Sequence, residues 1–120
     1  MAKKATIIRI NSISEAREEL RKIGVDEGGM PFLVPKAVHL AIKLESIEPV
    51  PANILKQEML AQGGDAAVNR GVINHSVEFS DVLLLGTVAQ YNKLVRKLNI
   101  QPFGLKEIAK QIEDILKTLR

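Results

Sequence analysis

The stretch from Asp81 to Leu98, DVLLLGTVAQYNKLVRKL, carries the strongest secondary-structure signals in the chain. Its four consecutive apolar residues, Val82 to Leu85, predict a central strand that is covered on both faces of a sheet. Thr87 is a suitable N-cap for a helix, and the apolar residues after it share one side of that helix. This stripe consists of Val88, Tyr91, Leu94, Val95 and Leu98. The stretch therefore predicts a buried strand that leads directly into an amphipathic helix.

Before this stretch, strand and helix signals alternate. Thr6–Ile10 is rich in β-branched residues and predicts a short strand. A helix follows, in which Ser12 and Glu15 have the spacing of a capping box and Gly24 suits the left-handed position after the last turn. The glycines and prolines of residues 25–35 predict a loop or an irregular strand. This part of the chain therefore predicts one strand and one helix.

Two further strand candidates surround a helix in the middle of the chain. Val38–Leu44 has apolar residues at every second position and predicts a half-buried strand, with a helix starting at Pro35 as the alternative. Pro51 suits the first position of a helix that runs to the Gly63-Gly64 pair. Ala66–Ile73 is a weaker strand candidate, so the middle of the chain predicts strand, helix and strand.

The predicted order of elements is β, α, β, α, β, β, α, α. The last helix follows Gly104, and its apolar stripe consists of Leu105, Ile108, Ile112, Ile115 and Leu119. Alternation with short linkers predicts the α/β (α+β) class, with a small mixed β-sheet of about four strands covered by about four helices. Residues 1–120 form a single domain in this prediction, and a TIM barrel is excluded because it takes about 250 residues.

The composition narrows the classes of function. The chain has 120 residues, no cysteine and a net charge of +3 from 17 basic and 14 acidic residues. Without cysteine, disulfides, thiol nucleophiles and cysteine-based zinc sites are excluded. No apolar run approaches the ~18 residues of a membrane-spanning helix. One tyrosine, three phenylalanines and no tryptophan argue against binding of single-stranded nucleic acid. We expect a cytoplasmic protein that binds neither membranes nor nucleic acids.

Three weak signals for chemistry have simpler structural explanations. His39 and His75 lie in separate segments, so a metal site is not expected. The residue types of a catalytic triad are present in His75 and Ser76 with Glu78 or Asp81, but neighbours on a strand point to opposite faces. Gly86-Thr87 joins a strand to a helix, where an anion could bind, yet a tight turn with an N-cap explains this pair better. We therefore expect neither a catalytic residue nor a metal ligand.

The most polar stretch of the chain surrounds the glycine pair. On a helix, Asn53, Lys56 and Gln57 share one face. After the glycines, Asp65 is placed to pair with Arg70 across a turn. The periodicity favours a solvated helix face that ends at the glycine pair, and the alternative interpretation is a ligand site.

Five blocks of the sequence resemble one known family. They are IGVDEGG (Ile23–Gly29), PKAVHLAIKLE (Pro35–Glu45), ANILKQEMLAQGGDAAVNRG (Ala52–Gly71), SDVLLLGT (Ser80–Thr87) and KLNIQPFGL (Lys97–Leu105). Over roughly residues 23–116 the chain resembles the N-terminal, non-barrel domain of the long, two-domain dihydropteroate synthases of Firmicutes and some archaea. A stand-alone protein related to these synthases would show the same likeness. The third block and the QPFGL segment of the last one are the specific parts of the resemblance.

The resemblance implies a partner for this chain more than an activity of its own. In that family a TIM barrel follows the domain and joins 4-aminobenzoate to dihydropterin pyrophosphate, with Mg²⁺ present, on the route to folate. The barrel motifs, of the kinds NxTPDSFSDGG and GGxSTRPG, do not occur here. The resemblance therefore implies no catalytic residue and no cofactor in this chain, with Mg²⁺ expected only in the barrel. It implies a dihydropteroate synthase barrel as partner, in cis or in trans, and leaves open whether the chain forms a homo-oligomer.

Three functions remain open from the sequence. The first is an accessory, non-catalytic domain of this transferase, which contributes domain contacts, assembly or substrate assistance. The second is a stand-alone module that binds an anion or a pterin phosphate through Lys56, Gln57, Asp65, Arg70 and Thr87. The third is an independent small enzyme that uses Lys56 with Glu58 or Asp65, for which a complete set of catalytic groups is missing.

Overall fold

Five α-helices and a three-stranded sheet form the described part of the chain, residues 3–120 of the computed structural model. In chain order the elements are α1 (Ile13–Ile23), α2 (Met30–Ala37), β1 (His39–Ile47), α3 (Pro49–Ala61), β2 (Asp65–Val68), β3 (Ser80–Thr87), α4 (Val88–Leu98) and α5 (Leu105–Lys117). A 3₁₀ turn, Glu27–Gly29, precedes α2. The predicted α/β (α+β) class is confirmed, and the described residues form no barrel.

The sheet has the strand order β1-β3-β2, and both strand pairs are antiparallel. The run Val82–Leu85 lies in β3 and is central, as predicted. The predicted mixed sheet of about four strands is corrected to three antiparallel strands, because Thr6–Ile10 forms no strand and does not join the sheet. Strand formation depends on packing against a neighbouring strand, and β-branched residues alone do not supply one.

One face of the sheet is buried and the other is open. Ile42, Leu84 and Ala66 lie side by side in register on the buried face, which α2, α3 and α4 contact. On the opposite face, Leu83 and Leu85 keep 38% and 42% of their surface exposed. The prediction that the apolar run is covered on both faces is wrong, since the helices that touch the sheet pack on one side of it.

Helix α4 follows β3 without a linker, as predicted. The N–H of Gln90 donates to Oγ1 of Thr87 at 3.2 Å, and the N–H of Thr87 donates to Oε1 of Gln90 at 2.8 Å, which completes a capping box. All five residues of the predicted stripe are buried. Among them, Tyr91 donates its hydroxyl to the carbonyl oxygen of Leu40 at 2.9 Å and so ties α4 to β1.

The first two helices differ in how well the sequence predicts them. In α1 the N–H of Glu15 donates to Oγ of Ser12 at 3.1 Å, and Gly24 ends the helix at a φ of 86°. Both predicted ends are confirmed, although the Glu15 carboxylate accepts from the N–H of Asn11 instead of closing the box on Ser12. The prediction of a loop over α2 is wrong, because Pro31 occupies the first turn, where a helix needs no N–H donor.

The middle of the chain follows the prediction with shifted boundaries. Helix α3 begins at Pro49, two residues before Pro51, and ends at the glycine pair, where Gly63 has a φ of 89°. Strand β2 ends at Val68, so only the first part of the predicted strand Ala66–Ile73 forms, and the chain turns from residue 70 onwards. The predicted alternation of β1 is confirmed on its buried side.

Helix α5 packs against α4 and completes the helical layer. Its residues Leu105, Ile108 and Ile112 are buried, as the stripe predicts, whereas Ile115 stays partly exposed. On the solvent side, Lys110 and Asp114 form an ion pair at 2.9 Å. Within residues 3–120 no helix is both long and apolar enough to span a membrane.

Candidate functional site

A lysine from α3 closes the outer edge of strand β2. Nζ of Lys56 donates to the carbonyl oxygen of Ala66 at 2.7 Å and lies 3.2 Å from Oδ1 of Asp65. The same Oδ1 atom accepts from the N–H of Ala66 at 2.7 Å. Strand β2 is an edge strand that pairs only with β3, and the Lys56–Asp65 pair satisfies both the N–H and the C=O of Ala66 at its outer edge. A charged pair that covers an edge in this way blocks further strand pairing.

The pairing of Asp65 differs from the prediction. Asp65 contacts Lys56 and not Arg70, so the predicted ion pair across the turn is wrong. The glycine pair places β2 directly beside α3, which brings the aspartate within reach of the lysine one turn before the helix end. The pKa of Asp65 is lowered, first by the N–H of Ala66 and then by the hydrogen bond from Lys56. The carboxylate therefore stays charged and fixed at the strand edge.

Beside this edge lies a groove of about 310 Å³ between α3 and the turn that follows β2. Three polar residues of α3, Asn53, Lys56 and Gln57, line one wall, as their shared helix face predicts. Arg70 lines the opposite wall, together with the apolar Ile73. The structure therefore brings together three of the five candidate ligand residues, and it places Asp65 next to them through its contact with Lys56.

The turn that carries Arg70 is held by its own polar groups. Asn69 donates its N–H to Oγ of Ser80 at 2.9 Å and accepts the N–H of Gly71 on Oδ1 at 2.8 Å. The backbone at Gly71 is closely surrounded, since a Cβ there would lie 2.8 Å from Cγ1 of Val77. These contacts fix the backbone under Arg70, whose side chain makes no ion pair within residues 3–120.

Thr87, the fifth candidate, is not part of the groove. Its Oγ1 accepts from Gln90 at the start of α4, and the next N–H, of Val88, donates to the carbonyl oxygen of Val38 at 3.0 Å. At Gly86 an added Cβ would collide with the side chains of Met59 and Gln90. The strand-to-helix junction is thus a packed and self-capped turn, which is the simpler of the two explanations offered by the sequence.

The histidines lie apart from one another and from the groove. His39 begins the edge strand β1, while His75 occupies an exposed turn with a φ of 58°. Ser76 lies in the same turn and donates its N–H to the side chain of Asn74 at 3.1 Å. In the part of the chain that the structure describes, no three His, Asp or Glu side chains are grouped to hold a metal ion.

The open face of the sheet is a feature that the sequence analysis missed. Ala41, Leu85 and Asp65 form one row across the three strands, and Lys43, Leu83 and Ala67 form the next. The two leucines occupy the middle of these rows and are exposed, with apolar alanines beside them. The sequence gives no signal for this face, because neighbouring residues of a strand face opposite sides and the run Val82–Leu85 is apolar on both.

The comparisons with known proteins point to one group of relatives. The probable bifunctional folylpolyglutamate synthase/dihydropteroate synthase of Halobacterium salinarum is 31% identical over 107 residues, which is 89% of this chain and 13% of that protein. The bifunctional dihydropteroate synthase/dihydropteroate reductase of Helicobacter pylori is 32% identical over 101 residues, or 84% and 27%. A probable bifunctional folylpolyglutamate synthase/dihydropteroate synthase of Haloferax volcanii is 35% identical over 65 residues, or 54% and 8%.

The matches cover most of this chain and a small part of each relative. No protein-family profile and no solved structure matches the chain. The chain spans 27% or less of the length of the relatives. Because two of them match more than four fifths of it, the resemblance found in the sequence blocks is confirmed, and the chain is a domain related to dihydropteroate synthases.

Proposed function

We propose that this chain is a non-catalytic accessory domain of a dihydropteroate synthase, which the open face of its sheet holds against the catalytic barrel, in cis or in trans. The observation that carries the proposal is the exposure of Leu83 and Leu85 in the centre of that face. Layered domains bury the apolar face of a sheet against another layer. Here one layer of helices is present, and a second layer has to come from another domain.

The composition of the face supports a contact between folded domains. Its centre is apolar, with Ala41 and Ala67 on either side of the leucines. Its border is charged, because Lys43 pairs with Asp81 at 3.8 Å and Asp65 lies at the β2 edge. An apolar centre with a polar rim is the usual anatomy of a protein interface. The relatives, which carry a similar segment within much longer chains, supply the candidate partner.

The test is association with the synthase of the same organism. We expect the chain to co-purify with that enzyme, and we expect Leu83→Asp to abolish co-purification because it places a charge in the centre of the contact. Ile100→Asp is the matched control, because Ile100 is 81% exposed and lies in the linker between α4 and α5, outside the sheet. Co-purification that survives Leu83→Asp, or that fails for the unmodified chain, would reject this proposal.

A second candidate function is binding of a small anion, such as a pterin phosphate, in the groove beside β2. It is favoured by the convergence of Lys56, Gln57 and Arg70 on one cavity of about 310 Å³. Lys56 is already engaged by the strand edge, so Arg70 is the cation available to a ligand. Titration calorimetry with inorganic pyrophosphate and with dihydropterin pyrophosphate tests this candidate. Loss of binding in Arg70→Ala, at unchanged melting temperature, would support it, and no measurable binding by the unmodified chain would exclude it.

A further inference from the structure

The N-terminal segment Lys3–Asn11, here called the arm, has the sequence of a strand and no strand to pair with. It forms no helix, strand or turn, and none of the described backbone groups of Lys3–Ile10 forms a hydrogen bond within the chain. Ile7 and Ile8 are 86% and 57% exposed, although Thr6–Ile10 contains four β-branched residues in five. Such a segment gains both hydrogen bonds and apolar contacts if it is added to the edge of a sheet.

The outer edge of β1 offers such a place. The N–H of Val88 donates to the carbonyl oxygen of Val38, which makes His39 and Thr87 a non-hydrogen-bonded pair of the antiparallel ladder. Since pairs alternate along the ladder, Ala41 and Lys43 are non-hydrogen-bonded toward β3 as well, and their N–H and C=O groups point outward. The edge therefore presents donors and acceptors at every second residue over the length of a short strand.

The two edges of the sheet differ in whether their outward backbone groups have hydrogen-bond partners. The outward groups of Ala66 on β2 are satisfied by Lys56 and Asp65. Within residues 3–120, no side chain and no backbone group bonds to the outward groups of Ala41 or Lys43 on β1. Natural sheets commonly cover an edge that must not pair. The uncovered β1 edge is therefore the one suited to accept a strand.

The base of the arm lies beside the start of β1. Residues Ile8–Asn11 pass Ala37 and His39 across a gap of about 340 Å³. The radius of gyration is 16.7 Å and the longest dimension is 57 Å, whereas a compact chain of this length has a radius of about 14 Å. The molecule is thus longer than a compact chain of this length.

We propose that two copies of this chain exchange arms, so that Thr6–Ile10 of each copy adds a fourth strand to the outer edge of β1 in the other. Because the arm and the receiving edge lie at the same side of the molecule, one two-fold axis satisfies both exchanges, as an isologous dimer requires. The occupant is a second copy because the strand-forming arm and the open edge occur in the same chain. This dimer uses the edge of the sheet and leaves the open face to the contact described above.

The molar mass measured by light scattering, over a dilution series, tests the exchange. We expect the unmodified chain to have about twice the 13.2 kDa of one chain at high concentration and to dissociate on dilution. Ile8→Pro removes an N–H from the arm, and Ala41→Pro removes an outward N–H from the receiving edge, where proline is tolerated. Each variant alone should be monomeric. Ile73→Ser, which removes an isoleucine elsewhere that is even more exposed than Ile8, should remain dimeric.

Mixing the two proline variants gives the specific signature of exchange. Ile8→Pro retains an intact edge and Ala41→Pro retains an intact arm, so an equimolar mixture should form a heterodimer with one of the two exchanged strands. Deletion of residues 3–9 replaces Ile8→Pro if that variant is poorly soluble, since the deleted segment makes no backbone hydrogen bond. A monomeric unmodified chain at all concentrations, or a dimer that survives loss of the arm, would overturn the proposal.

Discussion

Nζ of Lys56 lies 2.7 Å from the carbonyl oxygen of Ala66, so that a helix side chain closes the edge of the neighbouring strand. This contact gives a structural role to a residue that the sequence offers as a ligand contact. It also separates two cations of the groove, because Lys56 is part of the scaffold and Arg70 is not paired within the described residues. The difference between the two residues can be measured as the effect of each substitution on the free energy of unfolding.

Lys56→Met is expected to lower the free energy of unfolding by about 1 kcal/mol, because the carbonyl oxygen of Ala66 loses its partner while the apolar stem is retained. Arg70→Ala is the control and should leave the free energy of unfolding within about 0.5 kcal/mol, as for other exposed positions without structural contacts. Urea denaturation of both variants provides the comparison. Equal stability of the two variants would show that the edge contact contributes nothing.

The carboxyl of Asp65 is expected to titrate below the ordinary aspartate pKa of about 3.9, because the N–H of Ala66 and the ammonium of Lys56 favour its charged form. A lowered pKa in the folded state means that the stabilisation is present at neutral pH and is lost as the pH falls through that pKa. Carboxyl-carbon NMR titration measures the midpoint directly. In Asp65→Asn this acid-dependent loss should disappear, and an ordinary midpoint in the unmodified chain would contradict the assigned contacts.

Tyr91→Phe tests the link between α4 and β1. The hydroxyl donates to the carbonyl oxygen of Leu40, and its loss should reduce stability by about 1 kcal/mol. Burial raises the pKa of Tyr91 to about 12, above the value of about 10 in an unfolded chain. A raised pKa stabilises the fold below pH 10, and this stabilisation is lost as the pH rises toward 12. The melting temperature should therefore fall less steeply between pH 9 and pH 12 in Tyr91→Phe than in the unmodified chain.

Gly64→Ala is expected to destabilise the fold by about 1–3 kcal/mol, in the range of overpacked positions. A Cβ at this position would lie 2.6 Å from the carbonyl oxygen of Leu85 and 2.9 Å from the side chain of Met59. The backbone carbonyl cannot move aside without disturbing β3. Gly29→Ala is the matched control, because its Cβ would meet only a side-chain atom of Leu33, at 3.9 Å. Similar melting temperatures for the two variants would count against the close packing of α3 on the sheet.

Elements that are determined by residues close together in the sequence were predictable from it. The turn at Thr87 and the stripe of α4 follow from residues within one helical turn of each other, and both are confirmed. Gly24 ends α1 at a positive φ for the same reason. Features that depend on distant partners were not predictable. Thr6–Ile10 has strand propensity but no neighbouring strand. Pro31 suggests a loop, although it lies in the first turn of α2, a helix whose formation depends on its packing.

In the candidate site, too, features set by nearby residues were predictable and features set by distant partners were not. The shared face of Asn53, Lys56 and Gln57 follows from helical spacing and is found in the groove. The partner of Asp65 depends on how the glycine pair folds β2 back onto α3, so the sequence suggested Arg70 where the structure has Lys56. The open face could not be predicted from the sequence either, because a run of apolar residues does not show which sides of a strand have neighbours.

The most direct test of the proposed contact is methyl NMR of leucine-labelled chain during titration with the dihydropteroate synthase of the same organism. We expect the methyl signals of Leu83 and Leu85 to shift or broaden first, since they occupy the centre of the open face. Methyl signals of Leu94 and Leu98, buried in the helical layer, should change little. A titration that leaves Leu83 and Leu85 unchanged, at synthase concentrations that saturate any other binding, would contradict the claim that this face meets the enzyme.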